Sequence, residues 1–364
     1  MSSATLNAKD YGAVGDGITD DTAALQAWIN DCLVQKIPGY LDSGTYLITS
    51  SLSVTGTITI RGAGRNMSTL APVVGITAIS VVTPNLQPVD FSKFSVTYPS
   101  AASTGTAGIK VSGTTGNMNY NSMFRDLHIT NAYIGIQFDA ALLFVIDYCT
   151  VSNAVQHSIQ VANSVNPDFG DSIIANSTLG GLPSAATIAH IHFQSSGGLR
   201  VINNKVIGAH YGILLDLGLG VTTSILLVTN NSFEVLATSA LLMKRVTGAT
   251  GTFHNIVFDG NELSDCGNVP ICSPADPNGQ WLSRVIVTNN LIGGATTGAP
   301  TLVSIASTMG LIVSDNIFDG DAPSNNGIYT ATTTDRAILG PNLKIGAFGA
   351  NSINSTNTTV ISPT

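Results

Sequence analysis

The chain has 364 residues, of which 44% are hydrophobic, 6% aromatic and only 10% charged, and 37 are glycine. The apolar share excludes general disorder, and the scarcity of charge opposes a helical protein and favours many short strands joined by small polar turns. With a net charge of −8 and 14 Lys and Arg that form no run, no nucleic-acid partner is expected, and no apolar run approaches the ~18 residues of a membrane span.

Met1 to Thr5 lacks the basic and apolar parts of a secretory signal. Either a trimmed signal or release by lysis as part of a virion would then place the protein outside the cell. Residues 10–26 read Asp-Tyr-Gly-Ala-Val-Gly-Asp-Gly-Ile-Thr-Asp-Asp-Thr-Ala-Ala-Leu-Gln. Asp20 or Asp21 is expected to cap a helix running from about Thr22 to Cys32, with Ala24, Leu25, Trp28, Ile29 and Leu33 on its apolar face. Such a helix can cover the exposed end of a stack of strands. Asp16, Asp20 and Asp21 are read as structural. Gly15-Asp16-Gly17 is no phosphate loop, because it lacks the Lys-Ser/Thr and sets acids at the helix start.

Gly-Ala-x-Gly-Asp-Gly-x-x-Asp-Asp-Thr in this stretch resembles the opening of pectate-lyase-like right-handed β-helix proteins, phage tailspike depolymerases among them. Ser43-Gly44-Thr45-Tyr46-Leu47-Ile48 resembles the family's first-strand turn, although Asp42 and Ser43 stand in its usual Pro region. Ile58 to Gly64, followed by Ser68-Thr69-Leu70, resembles its next coil. The resemblance covers about the first 70 residues. It implies an all-β, single-stranded right-handed parallel β-helix (a solenoid) with a capping helix, a parallel homotrimer, and a bacterial surface polysaccharide as partner.

The rest of the chain repeats. Asn176, Asn204, Asn231, Asn261, Asn290 and Asn316 recur at intervals of about 26 to 30 residues, one large coil each. Ile173, Val201, Val228, Phe258, Val287 and Val313 lie three before them; running the frame backwards gives Cys149 and Leu127. A second strand recurs as Gly108-Ile109-x-Val111, Gly135-Ile136-x-Phe138, Ser158-Ile159-x-Val161, His190-Ile191-x-Phe193, Gly212-Ile213-x-Leu215 and Ala240-Leu241-x-Met243. Coils of short strands bury their inner faces only by stacking. The Asn column is therefore expected to be an internal ladder that satisfies buried turn backbone. The frame divides the chain into a cap (residues 1–36), a β-helix (37–322) and a C-terminal capping or oligomer-facing segment (323–364).

A packed interior leaves the outer faces for chemistry. The chain has two glutamates, Glu234 and Glu262, which the frame points outward in successive coils. Standard strand spacings set their Cα atoms about 8 Å apart, a separation suited to an acid and base flanking a glycosidic bond. Asp259 and Asp265 lie on the coil of Glu262. A second outward stripe has Lys110, Gln137, Gln160 and His192 in one column and Asp139, Gln194, Asp216 and Lys244 in the next. Such hydrogen-bonding side chains suit a glycan groove, where His192 can act as a base and Lys110 can neutralise a uronate. Arg125 and Asp147, in neighbouring coils, are expected to form a structural ion pair.

The reading is a polysaccharide depolymerase working through the carboxylate pair Glu234 and Glu262 with Asp259. Asp139, His192, Asp216, Lys244, Gln137 and Gln160 are its candidate substrate contacts. β-Elimination on a uronate glycan and non-catalytic glycan binding by a virion fibre stay open beside it. No cofactor is expected, and no third ligand joins His190 and His192 to suggest a metal. Cys149 is expected buried as a free thiol, while Cys266 and Cys272 are near enough in sequence to be bridged.

Overall fold

The computed structural model describes the chain except residues 1–4, 83–86, 114–118, 140, 163–170, 182–187, 195–196, 218–224, 246–248, 250, 268, 275–280, 294–300, 307, 321–325, 331–334, 347–352 and 356–364. The fold is an all-β, right-handed parallel solenoid with one short α-helix among the described residues. Its residues group into two compact units, Met1–Thr187 and Ile188–Thr364.

In the first unit, helix α1 (Thr22–Gln35) buries Leu25, Trp28, Ile29 and Cys32. Leu33 is only half-buried. Asp21 occupies the N-cap, yet its side chain makes no cap bond. It is 1% exposed and accepts hydrogen bonds from Val14 N (2.6 Å) and Gly15 N (3.1 Å). Asp20 Oδ1 takes over the helix start, accepting from Thr22 N (3.0 Å). Asp16 accepts from the backbone of Ile18 and Thr19. All three acids of the signature therefore hold backbone.

Three parallel sheets follow, called A, B and C. In the first unit sheet A includes Val89–Ser92, Met123–Arg125, Val145–Asp147 and Ser172–Ala175. Sheet B includes Ser95–Thr97, His128–Thr130, Thr150–Ser152 and Thr178–Gly180. Sheet C includes Ala107–Ser112, Ile134–Phe138 and His157–Ala162. Alternation sends every second side chain inward, where Phe91 is level with Phe124 and meets it edge to face, and Ile109 is level with Ile136 and Ile136 with Ile159, all fully buried. Each such side chain contributes roughly 1.5–3 kcal/mol relative to exposure. The Phe138 and Phe144 rings stack with centroids 4.0 Å apart.

The second unit, taken by itself, also consists of three parallel sheets, lettered in the same way. Sheet A includes Gly198–Ile202, Ile225–Thr229, Phe253–Asp259 and Leu282–Thr288; sheet B, Lys205–Ile207, Ser232–Leu236 and Glu262–Cys266; sheet C, Ala189–Gln194, Tyr211–Leu217 and Ser239–Arg245. Between sheets A and B runs the ladder. Asn204 N donates to Asn231 Oδ1 (2.9 Å), Asn231 N to Asn261 Oδ1 (2.9 Å), and Asn261 N to Asn290 Oδ1 (2.9 Å). Each step is doubled by an amide–amide bond, as between Asn231 Nδ2 and Asn261 Oδ1 (3.0 Å).

Several expectations need adjustment. Asn176 stands outside the inward column. It is a left-handed turn residue (φ 50) exposed on the surface, and Ser177 Oγ, buried, accepts from Cys149 N (3.1 Å) in its place. Accordingly Ile174, three before Ser177, is the buried strand residue rather than Ile173. Each ladder Asn from Asn204 to Asn316 follows a left-handed residue, Gly260 (φ 65) before Asn261 for example, and at 176 the left-handed residue is itself Asn. The ladder also runs past its expected end, since Asn316 N donates to Asn342 Oδ1 (3.0 Å). Strands Asn326–Thr330, Asp335–Leu339, Leu343–Gly346 and Ile353–Ser355 continue the sheets beyond residue 322. Arg125 is level with Asp147, but Asp147 Oδ1 accepts from Asn176 Nδ2 (2.8 Å), and the ion pair of that face joins Arg65 to Asp126 (2.8 Å). Cys149 is a buried free thiol, and Cys266 and Cys272 are free thiols.

Candidate functional site

The outer face of sheet C carries a polar cluster in each unit, although in the second unit the column of His192 continues through Leu214 and Leu242 rather than through polar residues. In the first, Lys110, Gln137 and Gln160 share one column, as the frame requires. Asp139 stands at the end of the Ile134–Phe138 strand. It accepts from Gln137 Nε2 (2.8 Å) and Ser112 Oγ (3.4 Å) and pairs with Lys110 Nζ (3.0 Å). These contacts fix Asp139 within the protein's own network.

In the second unit His192 lies level with Leu214, and Asp216 is level with Lys244. Asp216 Oδ2 lies 3.8 Å from His192 Nε2 and 3.6 Å from Lys244 Nζ. The His192 and Asp216 side chains are 12% and 13% exposed, whereas Lys244 reaches solvent at 44%. Leu214 is 4% exposed although the pleat turns it outward, so this patch of the outer face is sheltered and charge interactions there are strengthened. Asp216 Oδ1 is buried and accepts no hydrogen bond among the described residues. A buried carboxylate oxygen left so costs free energy that a ligand hydroxyl would recover. The arrangement offers a proton-accepting imidazole, a carboxylate to orient it and a cation at the rim.

The glutamates lie on sheet B of the same unit. Glu262 is level with Ser232, and Glu234 with Ser264, so the two carboxylates share a face on neighbouring strands, two residues apart laterally. Glu262 is exposed. Glu234 is half-buried; its Oε1 accepts from Ser232 Oγ (2.9 Å) and lies 3.3 Å from Lys205 Nζ. Lys205 was missed in the sequence, yet it follows Asn204 as Glu262 follows Asn261, so the same frame places it in that column. Asp259 is at the end of a sheet A strand, around the turn from Glu262, where it accepts from Thr288 Oγ1 (2.9 Å) and Asn289 Nδ2 (2.8 Å). The structure thus gathers Glu234 with Glu262 and leaves Asp259 on another sheet. His190, two before His192, is buried with its Nε2 2.7 Å from Ile207 O.

Among the described residues no three His, Cys, Asp or Glu gather closely enough to hold a metal. No described helix is long and apolar enough to cross a membrane.

Residues 5–86 match the family of rhamnogalacturonase A/epimerase, pectate lyase-like proteins, and residues 89–233 match the right-handed β-helix region. Among solved structures, the chain is similar to the mannuronan C-5 epimerase A-module of Azotobacter vinelandii (TM-score 0.72, 16% identity, 99% of this chain and 100% of that one). It is also similar to the pre-mature gene product 12 of bacteriophage phi29 (TM-score 0.67, 13% identity, 98% of this chain and 55% of that one). A 57-residue stretch is 47% identical to a probable glucan endo-1,3-beta-glucosidase of Arthroderma benhamiae; it spans 16% of this chain and only 6% of that relative.

Proposed function

Because this chain is a right-handed β-helix of the pectate-lyase-like kind, we propose that it acts on a uronate-containing bacterial capsular or exopolysaccharide at the His192–Asp216–Lys244 cluster. The observation that carries this reading is the buried Asp216 Oδ1, without a hydrogen-bond partner among the described residues, beside a sheltered imidazole and a rim cation. In the reaction, Lys244 pairs with the uronate carboxylate. His192 removes the C5 proton, the C4–O4 bond breaks as a C4=C5 double bond forms, and water protonates the departing oxygen. Asp216 stabilises the imidazolium that results. The likeness in fold to a bacteriophage protein supports a place outside the cell or on a virion tail, and the resemblance of the N-terminal signature to tailspike depolymerases supports a homotrimeric, tailspike-like depolymerase.

Hydrolysis by Glu234 and Glu262 is the second reading, favoured by their register, which sets them about 8 Å apart by strand spacing and within the range of an inverting pair. Incubation with a panel of acidic polysaccharides distinguishes the two. Absorbance of an unsaturated uronate, lost in His192→Ala, supports elimination. New reducing ends without unsaturation support the glutamates. Glycan binding with neither product would establish a non-catalytic fibre.

A further inference from the structure

A different group of side chains, on the outer face of sheet B in the first unit, has the arrangement of a hydroxyl nucleophile with its base. Ser152 Oγ lies 3.2 Å from His128 Nε2, and on the other side of the ring His128 Nδ1 lies 3.0 Å from Asn66 Oδ1. An amide oxygen only accepts, so Nδ1 carries the proton and the Nε2 lone pair faces the hydroxyl. Asn66 is fixed in turn. It sits in the left-handed region (φ 65), and its N–H donates to Ser95 Oγ (3.0 Å). Nucleophile, base and orienting group thus follow one another within hydrogen-bond reach.

Thr130 Oγ1 also contacts Nε2, at 3.1 Å. Ser152 is the better nucleophile because it is primary and because its neighbour on the next strand is Gly180, with no side chain above the hydroxyl. Thr130 is flanked by Thr97 and Ser152. Beside the ring stands a cation. Arg65 Nη1 is 3.0 Å from Thr150 Oγ1, and Thr150 is level with His128. Asp126 anchors Arg65 through Nε at 2.8 Å. Burial, and Arg65 after it, lower the His128 pKa below its ordinary 6.5, which keeps the imidazole neutral and able to accept a proton.

We propose that Ser152, His128 and Asn66 form a second active site that hydrolyses O-acyl esters, such as acetyl groups carried by a glycan. Only the glycan part of the substrate rests on the function proposed above; the acyl chemistry does not. Ser152 Oγ attacks the ester carbonyl while His128 Nε2 takes the hydroxyl proton. The positive charge of Arg65, anchored at Thr150 two residues before Ser152, favours the negative charge that develops on the carbonyl oxygen. Collapse expels the sugar oxygen, which takes the proton from Nε2, and leaves an acyl group on Ser152. Water, deprotonated by the same nitrogen, then releases the acid and restores the hydroxyl. Asn66 is a positioning residue.

The full chain is treated with a fluorophosphonate and its peptides mapped, and hydrolysis of p-nitrophenyl acetate is followed in parallel. The expected result is a covalent adduct on Ser152 that is absent from His128→Gln, and a rate at least ~100-fold lower in Ser152→Ala at an unchanged melting temperature. Asn66→Asp, which suits the left-handed backbone and still accepts from Nδ1–H, retains the rate. Asn66→Ala lowers kcat with KM unchanged. An unmodified Ser152, or a Ser152→Ala protein as fast as the parent, overturns the proposal. Hydrolysis of the small ester without acetate release from acetylated polysaccharides overturns the glycan assignment alone, independently of whether the sheet C cluster cleaves its polymer.

Discussion

His192 Nε2 faces Asp216 Oδ2 across 3.8 Å on neighbouring strands of sheet C. That is beyond hydrogen-bond length, as is common in sites that tighten only around substrate. Asp216→Asn keeps the shape and removes the charge that stabilises a protonated imidazole. The expected outcome is a fall of ~100-fold or more in kcat on a responsive uronate polymer, with the melting temperature held or raised, because a buried charge has been removed. Lys244→Ala should raise KM more than it lowers kcat. Equal kcat values for Asp216→Asn and the parent would remove this cluster from the mechanism.

Glu234 and Glu262 differ in what holds them, and that makes the hydrolase reading testable. Glu234 is tied to Lys205 and Ser232 at a surface where an ion pair contributes a few tenths of a kcal/mol. Glu234→Gln and Glu262→Gln should therefore both melt within about 1 °C of the parent. If either abolishes reducing-end release, the carboxylate pair is the cleaving machinery. If both cleave normally, it is a solvated face.

The ladder gives a stability prediction that also tests the corrected frame. Asn261 Oδ1 accepts two bonds from Asn231, and its Nδ2 donates to Asn290 Oδ1 (3.0 Å) and Val228 O (3.0 Å), all buried. Asn261→Ala leaves several polar groups buried without partners and should cost on the order of 3 kcal/mol or more. Asn176→Gly, at an exposed left-handed position, should change stability by less than about 1 kcal/mol. Chemical denaturation of the two variants measures both; a similar loss in each would restore Asn176 to the column.

Most of the coil was legible because its signals are local. Inward apolar positions alternate along each strand, so Ile109, Ile136 and Ile159 fell into register from spacing alone. The slip at Asn176 arose because asparagine suits two adjacent roles, the left-handed turn position and the ladder position. The pairs Asn203-Asn204 and Asn230-Asn231 carry both in succession, and that doublet was the signal to follow. Lys205 beside Glu234 was readable from the frame as well. The Ser152–His128–Asn66 arrangement was not. Asn66 reaches His128 from a turn whose geometry no repeat encodes, and serine is too abundant in this chain for one hydroxyl to stand out.

His190 sets an acid limit. Its ring is buried, with Nε2–H donating to Ile207 O at 2.7 Å, and burial pushes its pKa down from 6.5 to about 4 against the opposing pull of that carbonyl. The folded chain therefore keeps this imidazole neutral where the unfolded chain takes up a proton. The sign follows: stability on this account is complete above pH 6.5 and is lost as the pH falls toward 4, by roughly 3 kcal/mol in all. Glutamine at this position still donates to the carbonyl and does not titrate. His190→Gln should melt close to the parent at pH 7 and lose less on going to pH 4.5. Parallel melting curves at the two pH values in both proteins would mean that the His190 proton is not coupled to folding.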